Sequence, residues 1–149
     1  MELVIDIGNS CAKIAVFDKN KIIDVYYDSN KNLDKLDIIC NKYPISRGIV
    51  SSVVKINDII EKQIVNLPFN VIRLSHSTTI PITNDYKSPK TLGMDRIAAV
   101  IGAEEIKPGR ELLVIDAGTC ITYDFIDSKG HYKGGNISPG IEMRFRALN

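Results

Sequence analysis

A chain of 149 residues with 44% hydrophobic and 25% charged residues can build a real core and lies far from disordered compositions. Its 19 Lys and Arg against 18 Asp and Glu leave a formal net charge of +1, which gives no support to a nucleic-acid binder, because such proteins hold phosphates with a basic field. Three scattered cysteines without a C-x-x-C pair read as reduced cytoplasmic thiols rather than a disulfide framework or zinc site, and no run approaches the roughly 18 apolar residues of a membrane span.

Residues 2 to 28 read as three strands. LVIDI is followed by CAKIAVF and, after the turn DKNK, by KIIDVYY; alternation and turn residues make this a meander. No charged n-region precedes it, so a secretory signal is not expected. LDKLDIICNKY carries Leu33, Leu36, Cys40 and Tyr43 at helical spacing, and Pro44 ends that helix. RGIVSSV reads as the next strand. Ile56, Ile59, Ile60, Ile64 and Leu67 then share a helical face before Pro68, and FNVIRL is a further strand. Ser75 to Lys90, rich in Ser, Thr and Pro, has loop composition, and a loop of that length inside a compact domain is usually functional or disordered. Met94, Ile97, Ala98 and Ile101 mark a third helix, closed near Lys107, Pro108 and Gly109. The order predicts a mixed sheet with helices packed on it.

The opening then returns. Leu3, Val4, Ile5, Asp6 and Gly8 match Leu113, Val114, Ile115, Asp116 and Gly118, each 110 positions later, and a second alternating strand, CITYDFID, follows with a polar turn behind it. The expected organisation is a first domain over 1–109 and the beginning of a duplicated second domain over 110–149, incomplete because only IEMRFRALN follows SPG. Taken alone, Asp6 and Asn9 fit a hairpin whose side chains bond the turn backbone. Taken as a pair, the Asp-x-Gly turns fit a metal-nucleotide. Glycine lets backbone N–H groups approach phosphate, Ser10 and Thr119 add hydroxyls, and Lys13 adds a point charge. The carboxylates would repel phosphate unless a hard cation lay between them. Two such turns related by a pseudo-twofold would face a cleft.

DIGNSCAK and DAGTCITYD resemble the two phosphate motifs of the acetate kinase, sugar kinase, Hsp70 and actin superfamily. With SSVVK, DYKSPKTLGMDRIAAVIGA and GGNISPGIEMRFRAL, nearly the whole chain resembles the type III pantothenate kinases, GMDR being the most discriminating piece. The resemblance implies a ribonuclease H-like, actin/hexokinase-type mixed sheet with flanking helices, and transfer of the γ-phosphoryl of ATP to pantothenate, the first step of coenzyme A synthesis. It further implies that Asp6, Gly8, Asn9, Ser10 and Lys13 line the ATP phosphates with Asp6 near Mg²⁺. Thr119, in the turn tipped by Gly118, would contact ATP, and Asp116 would bind K⁺ or NH₄⁺. Tyr86 and the segment Gly93, Met94, Asp95 and Arg96 would hold pantothenate, with Asp95 as the base. Members are cytoplasmic homodimers. Ser10, Met94 and Cys120 stand where Thr, Ala and Ala are usual. Members extend roughly a hundred residues further, on the measure of the unfinished repeat, so weak binding or no turnover is expected of 149 residues.

Each residue also has a plainer reading. Asp95 in a first helical turn is favoured by the helix dipole alone. Arg96 could pair with Glu104 or Asp85 instead of a substrate carboxylate. Asp116 could merely cap a turn, Lys13 could be a solvated strand charge, and Tyr86 could pack on the core surface. His76 and His131 have no partner at metal spacing and receive no role. GGNISPG would serve close backbone packing beside the second turn. The rival functions are a non-enzymatic nucleotide-binding regulator of the same fold, in the manner of an accessory transcription factor, and an actin-like interaction module.

Overall fold

Strict alternation over the first residues puts Leu3, Ile5 and Ile7 on one face of β1 (Glu2–Ile7) and Ala12, Ile14 and Val16 on the same face of β2 (Ala12–Asp18). β3 (Lys21–Asp28) completes an antiparallel meander. α1 (Leu36–Lys42) leads to β4 (Arg47–Ser52), which pairs parallel with β1, and α2 (Asp58–Val65) leads to β5 (Asn70–Arg73), parallel to β4. The sheet order is β3-β2-β1-β4-β5. Leu36 and Ile39 of α1 and Ile60 and Ile64 of α2 join the strand residues in one buried cluster, where each Val, Leu or Ile side chain contributes about 1.5–3 kcal/mol by leaving water. Asn57 caps α2 by accepting from Ile60 N at 2.9 Å.

This is a computed structural model of the protein, and it describes residues 1–148. Packing divides the chain into two compact units, Met1–Ser75 and His76–Asn149. The division expected from the repeat lay at 109/110 and concerns copies of a motif. Packing draws its line earlier because α3 (Met94–Ile106) gives Ile97 and Val100 to a core shared with Leu92, Ile126 and Tyr132.

In the second unit β7 (Leu112–Ala117), β8 (Cys120–Ile126) and β9 (His131–Pro139) repeat the antiparallel meander. β6 (Thr83–Asn84) adds parallel to β9, giving the order β6-β9-β8-β7, and α4 (Ile141–Arg146) follows. The segment expected as plain loop therefore holds a two-residue strand and a short 3-10 turn over Pro89–Thr91. The first unit and the second each carry a mixed sheet with flanking helices. Among the described residues no helix is long and apolar enough to cross a membrane.

The two meanders differ in what covers them. Leu3 and Ile5 are each 1% exposed, whereas their sequence counterparts Leu113 and Ile115 are 61% and 57% exposed. α3 packs instead on the opposite face of β7, against Leu112 and Val114, the face that in β1 holds Glu2, Val4 and Asp6.

Two helix details depart from the sequence reading. α1 begins at Leu36 instead of Leu33, because Gln63 brackets Leu33 with two hydrogen bonds of 3.1 Å and Asp28 accepts from Lys35 N at 2.8 Å. Such bonds give the backbone an alternative to the helix. Ile59 is exposed, since the two turns of α2 bury only Ile60 and Ile64.

Candidate functional site

In the first unit Asp6 sits near the end of β1, directly opposite Lys13 on β2 and Ser51 on β4. Residues opposite one another across a sheet project to the same face, so an acid, a base and a hydroxyl form one row. Among the described residues Ser51 Oγ is the buried side-chain polar atom without a hydrogen-bond partner, and a buried orphan of this kind asks for a ligand or water. The sequence reading quoted SSVVK without giving Ser51 a role.

The turn after β1 is closed by Gly8 N–H donating to Cys11 O at 3.0 Å. A Cβ on Gly8 would lie 3.2 Å from that same carbonyl, so glycine suits the tip. Asn30 Nδ2 braces it from outside, donating to Asn9 O at 2.7 Å and Gly8 O at 3.2 Å. Asn9, Ser10 and Lys13 are exposed. Asn30 is a further residue that sequence reasoning missed, since nothing about a lone Asn 21 positions beyond Asn9 marks it as the partner of that turn.

The second unit builds a parallel turn. Gly118 N–H donates to Cys120 O at 2.9 Å, and the tip is one residue shorter, because Ala117 pairs Ile121 where Ile7 pairs Ala12. Asp116, Gly118 and Thr119 are exposed. Gly140 N–H donates to Thr119 O at 3.0 Å, and a Cβ on Gly140 would strike the carbonyl oxygens of Gly118 and Thr119. The glycine of SPG thus packs directly on the turn, as expected.

Gly93 is the N-cap of α3, Met94 its first residue, and Asp95 lies half-buried in its first turn. A Cβ on Gly93 would strike Asp95 Oδ1, so glycine leaves the carboxylate room to fold back over the helix start. Neither Glu104 nor Asp85 is the partner of Arg96. Arg96 Nε donates to Asp124 Oδ1 and Oδ2 at 3.0 and 3.1 Å, and Nη2 donates to Oδ1 at 2.6 Å. Tyr132 Oη donates to the same Oδ1 at 2.5 Å. Arg96 and Asp124 are only 6% and 1% exposed. The Asp124 carboxylate holds the guanidinium above its ordinary pKa against the opposing effect of burial, and burial, reinforced by Asp124, raises the Tyr132 phenol. Removing one partner of such a buried pair costs about 3–5 kcal/mol.

Asp85 is held instead by Lys133 at 2.8 Å and His131 at 3.0 Å, and His76 Nε2 meets Leu92 O at 2.9 Å. Tyr86 lies on Gly134, a Cβ of which would come within 2.9 Å of the ring, and its centroid is 6.1 Å from that of Tyr132. Val114 stands opposite Asp124 and Asp116 opposite Thr122. Asp116, Asp124 and α3 with its Asp95 and Arg96 therefore share one face of the second sheet. Among the described residues no three His, Cys, Asp or Glu side chains cluster to hold a metal. A cation at Asp6 or Asp116 would therefore draw most of its oxygens from a ligand or water, which is how Mg²⁺ is usually bound. The oxygen donors of Asp6 and Ser51 suit such a hard ion.

Residues 2–149 match the family model described as type III pantothenate kinase. A type III pantothenate kinase from Phocaeicola vulgatus is 58% identical over all of this chain, which covers 62% of that protein. One from Bacteroides fragilis is 51% identical, again over all of this chain and 61% of the relative. The chain thus spans about three-fifths of these relatives' length. A solved structure described as a conserved Baf family transcriptional activator from Campylobacter jejuni is 26% identical with a TM-score of 0.56, covering 98% of this chain and 58% of that one. A solved structure described as a 2-dehydro-3-deoxygalactonokinase protein from Sinorhizobium meliloti, 9% identical with a TM-score of 0.52 and covering 92% of this chain and 54% of that one, shares the fold.

Proposed function

The chain belongs to the type III pantothenate kinase family, and on that premise we propose that it carries the phosphate-handling and substrate-holding segments of an ATP-dependent pantothenate kinase. Gly8, Asn9 and Ser10 line the ATP phosphates with backbone and hydroxyl donors, and Lys13 neutralises them as a point charge. Asp6, with Ser51 beside it in the row, holds Mg²⁺ through oxygen. When bound, that ion offsets charge between carboxylate and phosphates. Gly118 and Thr119 contact ATP from the second turn, and Asp116 holds the monovalent cation, K⁺ or NH₄⁺. Tyr86 and the Gly93–Arg96 segment hold pantothenate, Arg96 meeting its carboxylate and Asp95 accepting the hydroxyl proton. The working enzyme is a cytoplasmic homodimer.

Phosphoryl transfer passes through a loose transition state, so positioning and electrostatics do most of the work. The observation that carries this reading is the adjacency of Asp95 and Arg96 in the first turn of α3, on the sheet face that also bears Asp116. A nucleotide switch needs the glycine turns but has no use for a base beside a carboxylate binder. The name of the Campylobacter jejuni structure agrees with the regulator reading, but a net charge of +1 gives that reading no basic field for DNA.

A coupled assay for ADP release on the full-length polypeptide, run with and without pantothenate, tests the proposal. Pantothenate-dependent ADP is expected, and ADP release indifferent to pantothenate would overturn it. Asp95→Asn should lower kcat by about 100-fold, the low end of what a general base contributes, while leaving the KM for ATP nearly unchanged.

A further inference from the structure

Asp124 is fully buried on β8, yet no step above uses it. It receives three hydrogen bonds from Arg96 on α3 and one from Tyr132 on β9, so one carboxylate joins a helix and two strands. Its neighbour across the sheet, Val114, lies two residues before Asp116. The same carboxylate therefore ties the first turn of α3 to the strand pair that bears the second glycine turn.

A buried ion pair is often no more stabilising than apolar packing of the same volume. What an Arg–carboxylate pair adds is direction, because the planar guanidinium fork accepts few orientations. Nε and Nη2 form the grip on Asp124. With 6% of Arg96 exposed, the guanidinium is held in one orientation, and Nη1 is the nitrogen outside the grip. Such preorganisation removes an ordering cost from binding. Tyr132 occupies one further site on Oδ1 and keeps the carboxylate from rotating.

We propose that Asp124, steadied by Tyr132, is a positioning residue that fixes Arg96 and the first turn of α3 for an anionic substrate. It acts through Arg96 and does not itself touch the substrate. The proposal rests on the pantothenate reading above for the identity of that substrate.

The test titrates pantothenate and, separately, ATP into the wild-type full-length polypeptide and into its Asp124→Asn and Tyr132→Phe variants, by calorimetry. In parallel, the NMR signal of the Arg96 Nε–H is followed, and the melting temperature of each variant is recorded. Asp124→Asn should weaken pantothenate binding by about tenfold, the scale of one lost charged hydrogen bond, with ATP affinity within about twofold. The Arg96 Nε–H signal should exchange slowly in the wild type and be lost in this variant. Tyr132→Phe should move pantothenate in the same direction by about two- to threefold, less than Asp124→Asn because it removes one bond to the carboxylate and leaves the grip on Arg96 in place, and it carries the test should Asp124→Asn fail to fold. Pantothenate binding unchanged in both variants overturns the proposal, as does an equal loss of both ligands in step with melting temperature, which marks a purely structural residue. A wild-type full-length polypeptide that binds ATP but not pantothenate defeats the pantothenate reading instead. The Arg96 signal then decides the positioning claim, and its survival in Asp124→Asn overturns it.

Discussion

Leu3 and Leu113, and Ile5 and Ile115, hold the same places in the same strand motif, but the first of each pair is sealed in a core and the second faces outward. In the first unit α1 and α2 lie on the Leu-x-Ile face and β4 pairs with β1. In the second, α3 lies on the other face and β7 ends the sheet. An alternating pattern therefore says which face of a strand can be buried, and the partner elements decide whether it is.

The sharpest test is to truncate both isoleucines. Ile5→Ala should destabilise by about 2–5 kcal/mol, the usual cost of opening a cavity in a packed core, and Ile115→Ala should stay within about 0.5 kcal/mol, as for an exposed site. Urea unfolding followed by circular dichroism reads both, and equal costs would break the comparison by showing that the second face is covered in solution.

A smaller contrast is expected at the turns. The Cβ of Gly8→Ala would crowd Cys11 O at 3.2 Å, while that of Gly118→Ala would meet Cys120 O at an ordinary 3.9 Å. The first substitution should cost about 1 kcal/mol, at the low end for overpacking, and weaken ATP binding with it. The second should leave stability nearly unchanged. Melting curves and ATP titration of the two variants would separate them, and a costlier Gly118→Ala would reverse the ranking.

The gentlest expected effect is on pH dependence. In the first unit Asp24 is drawn down to about 2, chiefly by the hydroxyls of Tyr26 and Tyr43, with Lys42 adding to it. In the second, Lys133 and then His131 lower Asp85. A carboxylate whose folded pKa lies below its unfolded value adds stability above the unfolded value and loses it as pH falls through the folded one. Both units should therefore weaken on acidification, Asp24 giving up its share between about pH 4 and 2. Tyr43→Phe should raise the Asp24 titration midpoint, read by carboxylate NMR, and leave Asp85 unmoved. An Asp24 midpoint that stays put would remove Tyr43 from the account.

The meanders, β4, β5 and α3 were legible because each rests on local periodicity and turn residues. The two-residue β6 has no period to detect, and it exists only because β9 offers an edge to Thr83 and Asn84. The start of α1 was hidden for a similar reason, since Gln63, 30 residues on, holds Leu33 out of the helix. At the site, the glycine turns and the Asp95–Arg96 pair announced themselves as motifs. Asp124 did not, because an Asp in the middle of an alternating strand gives no sign that a guanidinium 28 residues earlier will neutralise it. Ser51 and Asn30 were equally silent. Their meaning lies in what stands beside them across the sheet or the turn.

The place of β7 at the end of its sheet also sets a clock. β1 has strands on both sides, so its backbone amides are engaged in either direction and should release their hydrogens to deuterium only when the whole unit opens. Among the described residues β7 pairs with β8 alone, and every second amide points away from it. Its deuterium uptake should be two-speed along a single strand, fast and slow residues alternating from Leu112 to Ala117, where β1 keeps a single slow time.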